Sequence, residues 1–152
     1  MSVAVAERPE VAMQLNLRPV ISFHGVSKVY PTGTVALRDV ELAVLQGDFC
    51  FLVGASGAGK STLVRLLIRE EVASTGRIFV ADEPTGNLDP DTSWGIVQLL
   101  LQINHRGTTV LMATHNREVV DLVRRRVIAI EGGRVIHDEA QGSYLRPGEA
   151  TL

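Results

Sequence analysis

The chain has 152 residues, of which 45% are apolar and 21% charged, and a net charge of −2. That is the size and balance of one soluble domain, and it carries no basic excess of the kind that points to nucleic acid or an anionic lipid surface. Its single cysteine, Cys50, cannot form an internal disulfide and lies in an apolar run that reads as core.

Residues 1–19 mix Ala, Val, Glu and Pro without clear periodicity and read as a flexible extension. They show no basic start followed by an apolar stretch, and nowhere does an apolar run approach the ~20 residues that span a bilayer. A cytoplasmic chain is expected, with any membrane attachment made through a partner. The segments Ile21–Phe23 and Lys28–Tyr30 favour strands, followed by a turn at Pro31-Thr-Gly33. Val40, Leu42 and Val44 alternate with Glu41 and Ala43, as in a strand with one buried face. After the turn Gln46-Gly47-Asp48, the run Phe49–Val53 is apolar throughout, the mark of a strand covered on both faces.

Gly54-Ala-Ser-Gly-Ala-Gly-Lys60-Ser61 follows directly and is a phosphate-binding loop. Its glycines let backbone N–H groups close around phosphate oxygens, and the next helix aims its positive end at the same anion. In this pattern Gly54, Ala55, Ser56, Gly57, Ala58, Gly59, Lys60, Ser61 and Thr62 hold the nucleotide, Lys60 bridges the β- and γ-phosphates, and the Ser61 hydroxyl binds Mg2+. A helix is predicted from Ser61 to about Glu71, then a strand at Ile78–Ala81, which completes a strand–helix–strand unit.

Asp82 and Glu83 follow that strand, where one carboxylate could reach the Mg2+ shell and the next could orient the attacking water. The turn-rich stretch 82–90 leads to a helix capped by Asp91 and running to about Asn104, with Trp94, Val97, Leu100 and Leu101 on its core face. Gly107 stops it. Thr108–Ala113 is a third buried strand, ending in Thr114-His115, and a short helix at about 117–123 and two strands around the turn 131–134 complete a domain over 20–142, with a tail at 143–152. The expected fold is α/β, a P-loop NTPase core with a mainly parallel sheet flanked by helices and a reduced N-terminal antiparallel portion.

Ile21-Ser-Phe-His-Gly-Val-Ser-Lys-Val-Tyr30-Pro, the 54–61 loop, Ala81-Asp-Glu-Pro-Thr-Gly-Asn-Leu-Asp89-Pro and Met112-Ala-Thr-His115 together resemble an ABC-type ATPase subunit. Val35-Ala-Leu-Arg-Asp-Val40, Ile68-Arg-Glu-Glu71 and Arg124–Arg134 are similar to its bacterial cell-division, FtsE-type branch, and the match runs from about Ile21 to Glu139. The resemblance implies that Tyr30 stacks on adenine, Glu83 is the catalytic carboxylate, Asp82 is a metal ligand, Asp89 lies at a subunit interface and His115 is the switch histidine near the γ-phosphate. It also implies ATP with Mg2+, a head-to-tail homodimer and an integral membrane subunit, FtsX.

Only 20 residues separate Ser61 from Asp82. In the family this interval holds a glutamine-bearing loop, a helical subdomain and a Leu-Ser-Gly-Gly-Gln signature, and none of these is present. The signature of one subunit completes the phosphate cage of the other, so a homodimer of this chain would lack those donors in both sites. One segment, 78–81, must also serve two strand positions of the family. The expectation is that it takes the place beside Phe49–Val53 and Thr109–Ala113, leaving the N-terminal sheet short of a partner. Three readings stay open: an active ATPase, a subunit that binds Mg-ATP without cycling, and a deletion remnant without function. A compact P-loop kinase is disfavoured, because neither the 83–89 stretch nor His115 has a role there.

Overall fold

The computed structural model describes residues 19–55, 57–80, 94–143 and the backbone of 86–88. Within them are the strands β1 (Pro19–Val29), β2 (Val35–Leu45), β3 (Phe49–Val53), β4 (Thr75–Val80), β5 (Gly86–Leu88), β6 (Val110–Ala113), β7 (Arg126–Glu131) and β8 (Arg134–Glu139). The helices are α1 (Lys60–Leu67), α2 (Trp94–His105) and α3 (Arg117–Val123). An antiparallel sheet has the order β2-β1-β4, and the central sheet the order β5-β6-β3-β7-β8. In the central sheet β5, β6, β3 and β7 run parallel, and β8 returns antiparallel to β7. Among the described residues no helix is long and apolar enough to cross a membrane.

The unbroken apolar runs of the central strands follow from burial on both faces. Phe49, Phe51 and Val53 of β3, Val110 and Met112 of β6, and Val127 and Ala129 of β7 pack with Val97 and Leu100 of α2 and Val119 and Val120 of α3. The alternate residues Cys50, Leu52, Leu111, Ala113, Ile128 and Ile130 pack on the other face with α1 and the antiparallel sheet, whose contribution includes Ile21, Phe23, Leu37 and Leu42. Because side chains alternate along a strand, each of these segments serves two separate clusters.

Four local expectations are corrected. The two short β-prone pieces near the N-terminus form one strand of 11 residues. The first helix ends at Leu67 rather than near Glu71, because Arg69 adopts a left-handed backbone (φ 62°) and the Glu70 N–H turns back to the Arg65 carbonyl at 2.9 Å. Trp94, expected on the core face of α2, is 42% exposed at the first turn, whereas Val97 and Leu100 are buried.

The fourth concerns the segment that must serve two positions. Ile78–Val80 do not lie beside β3 and β6 but pair antiparallel with β1, Ile78 opposite Phe23 and Val80 opposite Ile21. The N-terminal sheet therefore has its third strand, and the place beside β6 falls to Gly86–Leu88, with Leu88 opposite Met112. The linking segment 68–74 explains the choice: the Ser74 N–H donates to the Ser27 carbonyl at 2.9 Å and its hydroxyl accepts from the Val29 N–H at 2.9 Å, which delivers β4 to the edge of β1. β4 is mostly exposed as a result, Phe79 at 58%.

One charged cluster holds the far end of the central sheet, where β3 and β7 begin. The buried Arg126 guanidinium donates to both Asp138 carboxylate oxygens, at 2.7 and 2.6 Å, and to Asp48 at 3.0 Å. Burial works against its charge, but its hydrogen bonds to Asp138 and the nearby negative charge outweigh that and hold it above its ordinary range. Removing one partner leaves a buried charge uncompensated. Asp138→Ala should cost about 3–5 kcal/mol in urea unfolding, and the double replacement Arg126→Met with Asp138→Leu should recover most of it.

Candidate functional site

The phosphate-binding loop leaves the carboxyl end of β3 and enters α1 at Gly59, which caps the helix. Its path is set by close approach to both sheets. A Cβ on Gly54 would lie 2.4 Å from the Ile130 carbonyl oxygen at the end of β7. A Cβ on Gly59 (φ 114°) would lie 2.7 Å from the Ala36 carbonyl oxygen of β2 and 2.9 Å from Leu37. The Ala58 carbonyl accepts from the Gly133 N–H at 3.0 Å, and the Gly133 carbonyl in turn accepts from Arg38 at 2.8 Å. The loop is thereby tied to the β7–β8 turn and to β2.

A cavity of about 720 Å³ opens over this loop, within the usual range for small-molecule sites. Tyr30, Gly54, Ala55, Gly57, Gly59, Lys60, Ser61, Thr62 and His115 line it. Ala58 is buried beneath. Ser56, Asp82, Glu83 and Asp89 lie outside the described residues. Among the described residues no carboxylate lines the cavity.

Lys60 donates to the Gly54 and Ala55 carbonyls of its own loop. Burial lowers its pKa, since carbonyl dipoles only partly replace water around the ammonium. An incoming phosphate would supply the full charge that these carbonyls cannot. Ser61 lies beside it at the exposed start of α1, with its hydroxyl available to a hard cation. His115 follows β6, whose Ala113 is level with Leu52, and the Thr114 N–H donates to the Leu52 carbonyl at 3.0 Å. This brings His115 to the same sheet end as the loop.

Arg117 and the segment Thr34–Ala36 also line the cavity and were missed in the sequence. Arg117 starts α3, capped by Asn116, whose side chain accepts from the Val119 N–H at 3.2 Å. A cation two residues after a strand-end histidine was the available signal. Nothing local marks 34–36, which reach the loop only through the pairing of β1 with β2.

Residues 37–140 match the family model for ABC transporters. The chain is 30% identical to the cell division ATP-binding protein FtsE of Streptococcus pneumoniae, over 82% of this chain and 97% of that protein. It is 29% identical to the FtsE of Bacillus subtilis, over 82% and 98%. The first alignment spans 224 positions while using 82% of a 152-residue chain, so the relative carries about a hundred positions with no counterpart here. In three dimensions the chain is similar to cbiO1 from Clostridium perfringens, part of the ABC transporter complex cbiONQ (TM-score 0.70, 17% identity, 81% of this chain and 89% of that one). It is also similar to a dimeric bacterial ABC transporter cassette (TM-score 0.67, 18% identity, 82% and 100%).

The close approach at Gly59 yields a direct test. Gly59→Ala must push the loop off β2 and should lower stability by about 1–3 kcal/mol. Gly57→Ala meets no atom within 4 Å and should cost less, only the strain of its backbone angle. Urea unfolding of both variants distinguishes contact from conformation.

Proposed function

The chain belongs to the ABC transporter family, and on that premise we propose that it is an FtsE-type ATP-binding subunit that holds Mg-ATP with impaired turnover. The observation that carries this reading is the composition of the cavity over the loop: Tyr30, Lys60, Ser61, Thr62 and His115 meet there, and no described carboxylate does. The triphosphate lies along the 54–62 loop, held by backbone N–H groups, the start of α1 and Lys60. Lys60 exchanges its carbonyl partners for phosphate oxygens. Tyr30 faces the base, and His115 and Arg117 face the terminal phosphate. Mg2+, when bound, neutralises phosphate charge, with Ser61 as one ligand and Asp82 as the family's second.

Two features support impaired hydrolysis. The interval between Ser61 and Asp82 lacks the signature that would complete a partner's phosphate cage, and such donors each contribute kilocalories to transfer. The strand preceding Asp82 and Glu83 in the chain, β4, belongs to the antiparallel sheet, whereas the strand beside β6 comes after them. Among the described residues no strand of the central sheet therefore leads directly into Asp82 and Glu83 from the side of α1. Head-to-tail dimerisation through Asp89, attachment to an FtsX-type membrane subunit and a place on the cytoplasmic face of the membrane complete the family reading. The absent subdomain is the part that would meet that subunit, so the coupling is expected to be weak.

Calorimetry and phosphate release on one purified preparation test this. Saturable Mg-ATP binding should appear and should fall at least about tenfold in Lys60→Ala. Phosphate release should stay at background in the wild type and in Glu83→Gln alike. Release that depends on Glu83 would establish an active ATPase instead, and equal weak binding by wild type and Lys60→Ala would leave a remnant without function.

A further inference from the structure

We propose that Lys28, which does not line the cavity, is a positioning residue that presets Tyr30 as a platform for the nucleotide base; this deepens the Mg-ATP reading above and rests on it. The Lys28 ammonium lies 5.3 Å from the centroid of the Tyr30 ring, within the range of a cation–π contact. It is held there by the Glu71 carboxylate at 3.0 Å and by the Val72 carbonyl, which accepts from it at 2.8 Å. The Lys28 side chain is only 13% exposed, so this is a fixed ion pair and not a solvated surface charge.

The tip of the same ring is held separately. The Tyr30 and Thr62 hydroxyls share a hydrogen bond of 3.2 Å, and Thr62 is buried in the first turn of α1, directly after Lys60 and Ser61. One contact therefore references the ring to the phosphate-binding helix, and the other references it to the segment 71–72. Ser74 bonds to Ser27 and Val29 in the same segment and keeps the end of β1 from drifting away.

Tyr30 lines the cavity and Lys28 does not. With the cation fixed against it, the ring stays presented to a base in the cavity without prior ordering. A group held before binding loses less freedom on binding, and that gain reaches only ligands that carry a base.

The test compares two ligands on the full chain by calorimetry: Mg-ATP, and Mg-tripolyphosphate, which has the phosphates but no base. Lys28→Met should weaken Mg-ATP about fivefold and leave Mg-tripolyphosphate unchanged. Lys28→Arg, which keeps a cation over the ring, should restore most of the loss. In a Tyr30→Ala background, Lys28→Met should add no further loss. Equal weakening of both ligands would make Lys28 a general structural brace and overturn the proposal, as would no change with either ligand. A wild-type chain that binds neither ligand would instead overturn the nucleotide-binding reading itself, and the proposal with it.

Discussion

Where β2 touches the phosphate-binding loop, the two sheets of this protein are joined at a distance only glycine permits. The Ala36 carbonyl occupies the space a Cβ on Gly59 would need, and the chain of bonds from Arg38 to Gly133 to Ala58 runs from the antiparallel sheet through the β7–β8 turn into the loop. The cavity has one wall from each side of this seam: Tyr30 and Thr34–Ala36 from the antiparallel part, and Gly54, Ala55, Gly57 and Gly59–Thr62 after the end of β3. Their spacing follows from the seam, backed by the core cluster in which Phe23, Val26 and Leu37 meet Leu52 and Leu63. A displaced seam would move one wall of the cavity relative to the other.

The two ends of the central sheet handle charge in opposite ways. At the end where β3 and β7 begin, Arg126 is buried against Asp138 and Asp48, and the cluster closes on itself. At the end where β3 and β6 finish, Lys60 is given only backbone carbonyls among its described contacts, and the start of α1 adds the same sign of potential. The first arrangement stabilises the fold and is insensitive to ligand. The second leaves a partly desolvated cation for which an anion is a better partner than the protein's own dipoles, and this separates a binding site from a structural ion pair.

Much of the central layer was legible because local pattern and global position agree there. β3 and β6 are apolar and buried at every position, and β7 is so from Val127 to Ile130, between the charged ends Arg126 and Glu131. The loop after β3 carries its chemistry in consecutive residues, so no long-range knowledge was needed to place Lys60 and Ser61. Arg126 was not legible: three consecutive arginines look like a solvated face, and only the pairing of β7 with β3 and β8 reveals that the third is buried. Trp94 failed for a related reason. Helical period assigns a face, but at a first turn the neighbouring chain decides whether that face is covered.

The failure at Ile78–Val80 is of a different kind. An apolar strand of this length fits the edge of β1 and the edge of β6 equally well, so neither propensity nor burial pattern could choose. What chose was the connection: the end of α1 lies within reach of β1, and Ser74 fastens the intervening segment to Ser27 and Val29 before β4 begins. The antiparallel sheet is completed by this choice, and with it the wall that carries Tyr30. The central sheet is left with a strand of three residues at its edge. The division is physically coherent, since the contacts proposed to hold base and phosphates are local to β1, β2, β3 and α1. On the proposed reading, hydrolysis would further depend on strand order and on a second subunit. The proposed non-cycling subunit would keep the first set of contacts without the second.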